Sequence, residues 1–297
     1  MSIVSMPDLL SRAVRDRYAI GYYESWDQYS LEAAMEAAED NNSPAIIGFG
    51  GAVTNPAWLD RTGVEELAGL ARCLADHASV PTAVLFNEAR ALDQLVRGLN
   101  SGCNTLMLDT SHLPFEENLR LTRQVCELAH TGGAAVEAEL GRLADGTDSE
   151  VRASGTDPLE AAQFVAESGV DALAVSIGNV HILSDGEAAV NLDLLAQIRA
   201  AVTVPLVIHG GTGYPVAAVR GAIERGVAKF NVGTRLKQVY LAGIAEAIGG
   251  LPERVNIHRV VGSREQEDIF MQGKGRLKAE ITRYLHLYGS ANRAIGW

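Results

Sequence analysis

Short apolar runs alternate with longer amphipathic stretches along this chain. The runs are Tyr18–Tyr23, Ala45–Phe49, Thr82–Phe86, Thr105–Leu108, Ala134–Leu140, Ala172–Ile177, Leu206–Ile208 and Val227–Val232. Most are apolar at nearly every position, which is the pattern of a strand covered on both faces. Between them, apolar residues at helical spacing predict helices over Leu31–Glu39, Val64–His77, Ala91–Ser101, Phe115–Thr131, Leu192–Ala201 and Val216–Arg225. Asp157-Pro158 opens another, with proline in the first turn where its missing N–H costs nothing. From Leu236 on the chain is mostly helical and ends in a polar tail. Buried strands each followed by a helix predict an α/β fold, a single (β/α)8 TIM barrel spanning residues 1–297 with a helical C-terminal extension.

In that fold, chemistry gathers at the C-terminal strand ends. Those ends carry Glu24, Gly50-Gly51, Asn87-Glu88, Asp109, Glu139, His181, His209 and Asn231–Thr234. Glu137 and Glu139 alternate along the fifth strand and so share a face. The stretch VPLVIHGGTGYP, from Val204 to Pro215, sets a histidine and three glycines directly after a buried strand. It reads either as a metal ligand beside an anion-binding backbone turn or as a tight strand-to-helix turn after a core histidine. Gly141–Gly155, rich in Gly, Asp, Ser and Thr, is expected to be a mobile active-site loop.

Composition narrows the class further. A formal net charge of −12 argues against nucleic-acid or anionic-membrane surfaces, though not against a local phosphate pocket. Cys73, Cys103 and Cys126 have no CxxC spacing and read as small core residues in a reducing compartment. The N-terminus lacks the apolar core of a signal peptide, and no run approaches membrane-spanning length. A cytoplasmic protein is expected.

Four stretches carry a family resemblance. They are MLDTSHLPFEENLRLTRQVCELAHTGGAAVEAELGR (Met107–Arg142), TDPLEAAQFV (Thr156–Val165), VPLVIHGGTGYP and KFNVGT (Lys229–Thr234). The chain resembles the class II, metal-dependent fructose- or tagatose-bisphosphate aldolases over roughly the whole barrel. That resemblance implies a retro-aldol cleavage in which a divalent metal polarises the ketose carbonyl and a carboxylic acid moves the proton of the neighbouring hydroxyl. It implies zinc most readily, with Mn2+, Fe2+ or Co2+ as other choices. It matches His181 and His209 to metal-binding histidines and Glu139 to a glutamate near the metal. Gly178, Gly210, Gly211, Thr212, Gly213, Asn231, Gly233 and Thr234 fall on substrate- and phosphate-binding positions. It also implies a homodimer or homotetramer acting on a small phosphorylated or sugar-like substrate. Tyr284, Leu285, Leu287, Tyr288 and Trp297 could pack on a neighbouring copy or on the barrel's own helices.

The departures from the family fall at the chemistry. Its third strand ends H-L-D-H-G, where the aspartate is the acid/base and the second histidine a metal ligand. Here the residues are Leu85-Phe86-Asn87-Glu88-Ala89. An amide at Asn87 cannot exchange a proton near neutral pH. Glu88 remains a competent ligand, so a two-histidine, one-glutamate set is expected. Ile182 stands for a glycine, Gly233 for a phosphate-loop aspartate, Gly50 for a serine and Glu24 for an asparagine. Proton transfer is then expected from Glu24, Glu88 or a loop acid among Asp145, Asp148 and Glu150. Glu24 reads equally well as a polar group at a helix start, and Asp109 as a supporting residue beside Ser111-His112. The leading expectation is an aldehyde-lyase acting on a ketose phosphate or related sugar derivative other than fructose bisphosphate. Alternatives are an isomerase or epimerase working through an enediolate, and an inactive aldolase-like binding protein.

Overall fold

A computed structural model describes residues 3–147 and 153–297. Eight parallel strands close into a barrel: β1 (Ile20–Tyr23), β2 (Ala45–Gly50), β3 (Thr82–Ala89), β4 (Thr105–Leu108), β5 (Ala135–Leu140), β6 (Ala172–Val175), β7 (Leu206–Ile208) and β8 (Val227–Val232). Each pairs with its neighbours in sequence, and β1 closes on β8 with Tyr22 beside Asn231. Helices cover the outside, as the expected TIM barrel requires.

Pleating sorts the inner face into two levels. Low in the barrel, Ile20, Tyr22, Ile46, Ala83, Leu85, Met107, Ala135, Ala172, Ala174 and Val207 form an apolar plug. Small alanines on β5 and β6 make room for the larger Tyr22 and Met107, so the interior fills without a pore. The helix Met6–Asp16 buries Met6, Leu9, Leu10 and Ala13 in the same plug and closes the lower end. The sequence reading omitted this helix, although Ser5 caps it and Pro7 stands in its first turn. Above the plug the inward positions turn polar, and that change of level creates the site.

The C-terminal helix Ile269–Tyr288 packs on the helices Thr234–Gly249 and Gln28–Asp40. Tyr288 stacks on Phe230 of β8 with ring centroids 4.6 Å apart, and Tyr284 lies 6.4 Å from Tyr23 of β1. Tyr284, Leu285 and Tyr288 are therefore spent on this chain's own barrel rather than on a neighbour. Trp297 packs near Arg12 instead. Among the described residues no helix is long and apolar enough to cross a membrane.

Candidate active site at the barrel mouth

Strand β3 runs to Ala89, past the predicted end at Phe86. Strict alternation would send Asn87 and Glu88 to opposite faces. The pairing with β4 shifts register between Phe86 and Ala89, and Glu88 adopts φ +51°, the left-handed region. This irregularity re-aims the backbone so that both side chains line the same cavity. A positive φ on a glutamate is strained, and such strain concentrates at functional positions.

His209 follows β7 directly and is buried. Its Nε2 donates to Glu137 Oε1 at 2.9 Å, with Glu137 itself inside the barrel. The Nδ1 side then faces Glu139 Oε2 at 3.0 Å and Glu88 Oε1 at 3.2 Å. His181 Nε2 lies 3.4 Å from the same Glu88 oxygen. His181 sits on a two-residue strand, Val180–His181, paired with Ala144–Asp145. Part of the expected loop is thus a strand pairing, while Asp148 and Glu150 lie outside the described residues. Ile182 holds φ +52°, a conformation β-branched residues rarely adopt. Asn179 is buried and donates to the His209 carbonyl at 2.9 Å, tying the His181 segment to β7.

A buried lysine completes the floor. Lys229 Nζ donates to both Glu137 oxygens at 2.9 and 2.8 Å and to Asn231 Oδ1 at 2.6 Å. That last bond fixes the Asn231 amide and turns its NH2 toward Asn87 Oδ1, 3.4 Å away. Lys229, Glu137 and His209 therefore form one buried chain of charge, with Glu137 shared between two donors.

The protonation states follow from this packing. Burial would raise the Glu88 pKa, but the charges of His181 and His209 outweigh it and bring it to about 2. Burial opposes charge on His209, but its contacts with Glu137, Glu139 and Glu88 hold the pKa well above the ordinary histidine value. Burial would raise Glu137, and Lys229 and His209 hold it below the usual carboxylate range. Asp109 moves the other way: burial, then Glu88 and Glu139, push its pKa up.

Whether these residues fit a divalent cation is decided at His209 Nδ1. This buried atom has no aligned hydrogen bond, although two carboxylate oxygens stand within ion-pair distance. Glu137 engages Nε2, so the Nδ1 lone pair would point at other lone pairs unless a proton or a cation sits among them. The 3.0–3.4 Å separations are close to the ~3.4 Å donor-to-donor edge of a tetrahedron with ~2.1 Å bonds. Among the described residues, no three His, Cys, Asp or Glu side chains stand as a finished metal cage. The site consists of close donor pairs that meet at His209 and Glu88, and its chemistry fits a cation of the zinc type.

Two cavities with shared lining residues open on this cluster. One of about 550 Å³ is lined by Glu24, Asn87, Glu88, His181, Gly210, Thr212, Asn231, Gly233 and Thr234, among others. The second, about 260 Å³, shares Glu88, His181 and Ile182 and adds Asp109, Glu139, Arg142 and Asp145. Gly178, Gly211 and Gly213 line neither. A Cβ would meet the Ala189 carbonyl at Gly178, the Asn231 carbonyl at Gly211 and the Leu183 side chain at Gly213, so these glycines serve close packing. A wider groove of about 780 Å³ lies outside the barrel between the C-terminal helices and contains none of the predicted residues.

The sequence reading gave no role to Lys229, Asn179 or Lys237 and only a supporting one to Asp109. Lys229 was visible in KFNVGT as a lone lysine inside an apolar strand, and that was its signal.

The sequence model of the family "Fructose-bisphosphate aldolase class-II" matches residues 4–293. The fructose-bisphosphate aldolase of Geobacillus stearothermophilus is 31% identical over 297 residues, covering 99% of each chain. The YdjI protein of Escherichia coli (strain K12) is 36% identical over 237 residues, 79% of this chain and 84% of that one. The crystal structure of the YdjI aldolase superposes with a TM-score of 0.81 at 30% identity, over 98% of this chain and 99% of that one.

Proposed function

The chain belongs to the class II fructose-bisphosphate aldolase family and is an aldolase-type lyase, and from that premise we propose that it cleaves a ketose phosphate or related sugar derivative other than fructose bisphosphate in a metal-assisted retro-aldol reaction. The observation that carries the reading is the buried, unaligned Nδ1 of His209 between Glu88 and Glu139, with His181 against the same Glu88 oxygen. His181, His209, Glu88 and Glu139 are the residues that would hold the cation. Bound there, a divalent metal would supply a Lewis acid for the substrate carbonyl.

The chain's own residues divide the remaining work. Glu137 fixes the His209 ring, and Lys229 fixes Glu137 and the Asn231 amide. Asn231 offers its NH2 at the cavity wall, and Asn87 provides an amide where proton transfer is excluded. In retro-aldol cleavage a base removes the proton of the hydroxyl beside the breaking carbon–carbon bond, and the bonding pair remains on the ketone fragment. Glu88 suits that task poorly, being held strongly anionic. Asp109 suits it better: it lines the second cavity beside Glu88 and Glu139, and burial and those two carboxylates push its pKa up rather than down. Glu24 is engaged by Lys237.

The test is elemental analysis of protein purified without added metal, with His209→Ala alongside, and cleavage assays over ketose phosphates and sugar acids. Near-stoichiometric metal and cleavage, both lost in the variant, are expected. A metal-free wild type that takes up none on addition, or unchanged cleavage by His209→Ala, refutes the reading.

A further inference from the structure

The larger cavity has one wall where side chains are missing and a carboxylate has moved in. A Cβ placed at Gly50 would meet the Glu24 carboxylate at 3.2 Å, and one at Gly233 would lie 3.1 Å from Glu24 Oε2. Glu24 thus occupies the space between the ends of β2 and β8 that larger residues would close. Its Oε1 accepts from Lys237 Nζ at 2.8 Å, and Lys237 lies over the Trp26 ring, 5.6 Å from the centroid. Glu24 is only 13% exposed, so its carboxylate is held inside the wall, while the Lys237 side chain reaches it from the more open side at 40% exposure.

The same wall has the features that draw anions. Gly233 precedes the sixteen-residue helix Thr234–Gly249 and offers it no capping side chain, while Thr212 Oγ1 accepts from the Arg235 N–H in its first turn at 3.1 Å. Gly210 and Thr212 line the adjacent turn. A helix start beside a glycine turn and a lysine attracts negative charge. Glu24 is that charge, supplied by the chain itself. A phosphate arriving here would meet a fixed carboxylate and would have to displace it from Lys237.

We propose that Glu24 is a specificity residue that closes this end of the cavity to phosphate. The end instead takes an uncharged, hydroxyl-bearing end of a sugar chain, whose hydroxyl donates to Glu24 Oε2. Any phosphate the substrate carries lies elsewhere along it. This deepens the aldolase reading for the nature of the substrate and reassigns Glu24 from proton transfer to recognition.

The test measures inorganic phosphate binding to the full chain by calorimetry, for wild type, Glu24→Gln and Glu24→Gln/Lys237→Met. Glutamine keeps the shape and removes the charge, and matching thermal unfolding will show that each variant is folded. The expected result is at least tenfold tighter phosphate binding by Glu24→Gln than by wild type, with the gain lost in the double variant. Wild type binding as tightly as Glu24→Gln overturns the proposal. So does a gain that survives loss of Lys237, since the phosphate then sits elsewhere. No turnover is involved, so failure here leaves the retro-aldol reading intact, and failure of cleavage leaves phosphate exclusion standing.

Discussion

Replacing Glu137 with glutamine tests the buried floor of the site. Glu137 accepts from Lys229 Nζ twice, at 2.9 and 2.8 Å, and from His209 Nε2 at 2.9 Å. Both Glu137 and Lys229 are fully buried. Glutamine preserves shape but removes the countercharge and turns an NH2 toward one of two donors. Stranding one partner of a buried ion pair costs about 3–5 kcal/mol. At about 2–4 °C per kcal/mol for a chain of this size class, the midpoint should fall by roughly 6–20 °C. His209 should also lose its fixed tautomer, which weakens metal binding by about 10–100-fold. Calorimetric unfolding reads the first effect and competition with a chromophoric chelator the second. Adding Lys229→Met should recover much of the stability, because no unpaired charge remains, without recovering metal affinity. A midpoint within about 2 °C of wild type for Glu137→Gln, against the roughly 6 °C minimum expected, refutes the reasoning. So does a double variant no more stable than the single one.

Two further outcomes follow from the packing. In metal-stripped protein, Glu88 has a folded pKa of about 2 against 4.5 unfolded, so its stabilisation is complete above pH 4.5 and drains away as pH falls toward 2. The lost amount is about 3 kcal/mol at ~1.4 kcal/mol per unit. Urea unfolding against pH should show that slope in wild type and not in Glu88→Gln, and equal slopes would contradict the assignment. Gly178→Ala should destabilise by several kcal/mol, since its φ is +101° and a Cβ would lie 2.2 Å from the Ala189 carbonyl. An unchanged unfolding midpoint would show that this turn yields easily.

The barrel was legible because its strands carry their burial in the sequence. Runs such as Thr82–Phe86 and Thr105–Leu108 are apolar throughout, and the helices between them keep a 3.6-residue period. The same reading put His181, His209, Glu88, Glu139 and Asn231 at strand ends, and the fold gathers them at one mouth, with His209 beneath the cavities against Glu88 and Glu139. The sequence missed the helix Met6–Asp16, which plugs the lower end of the barrel. It also left open where Tyr284 and Tyr288 pack, since apolar residues on a terminal helix do not name the surface they meet.

What the sequence by itself determined is fold, family and the list of polar groups at the strand ends, because these depend on periodicity and local motif. What only the tertiary structure decided is how those groups face one another. Strict alternation separates Asn87 from Glu88, and the register shift in β3 brings both to the cavity. Lys229 and Glu137 stand ninety-two positions apart in the chain, and barrel closure makes them a buried pair that orients His209. Glu24 and Lys237 meet for the same reason. Contacts between residues distant along the chain follow from closure and register, and no local pattern encodes them.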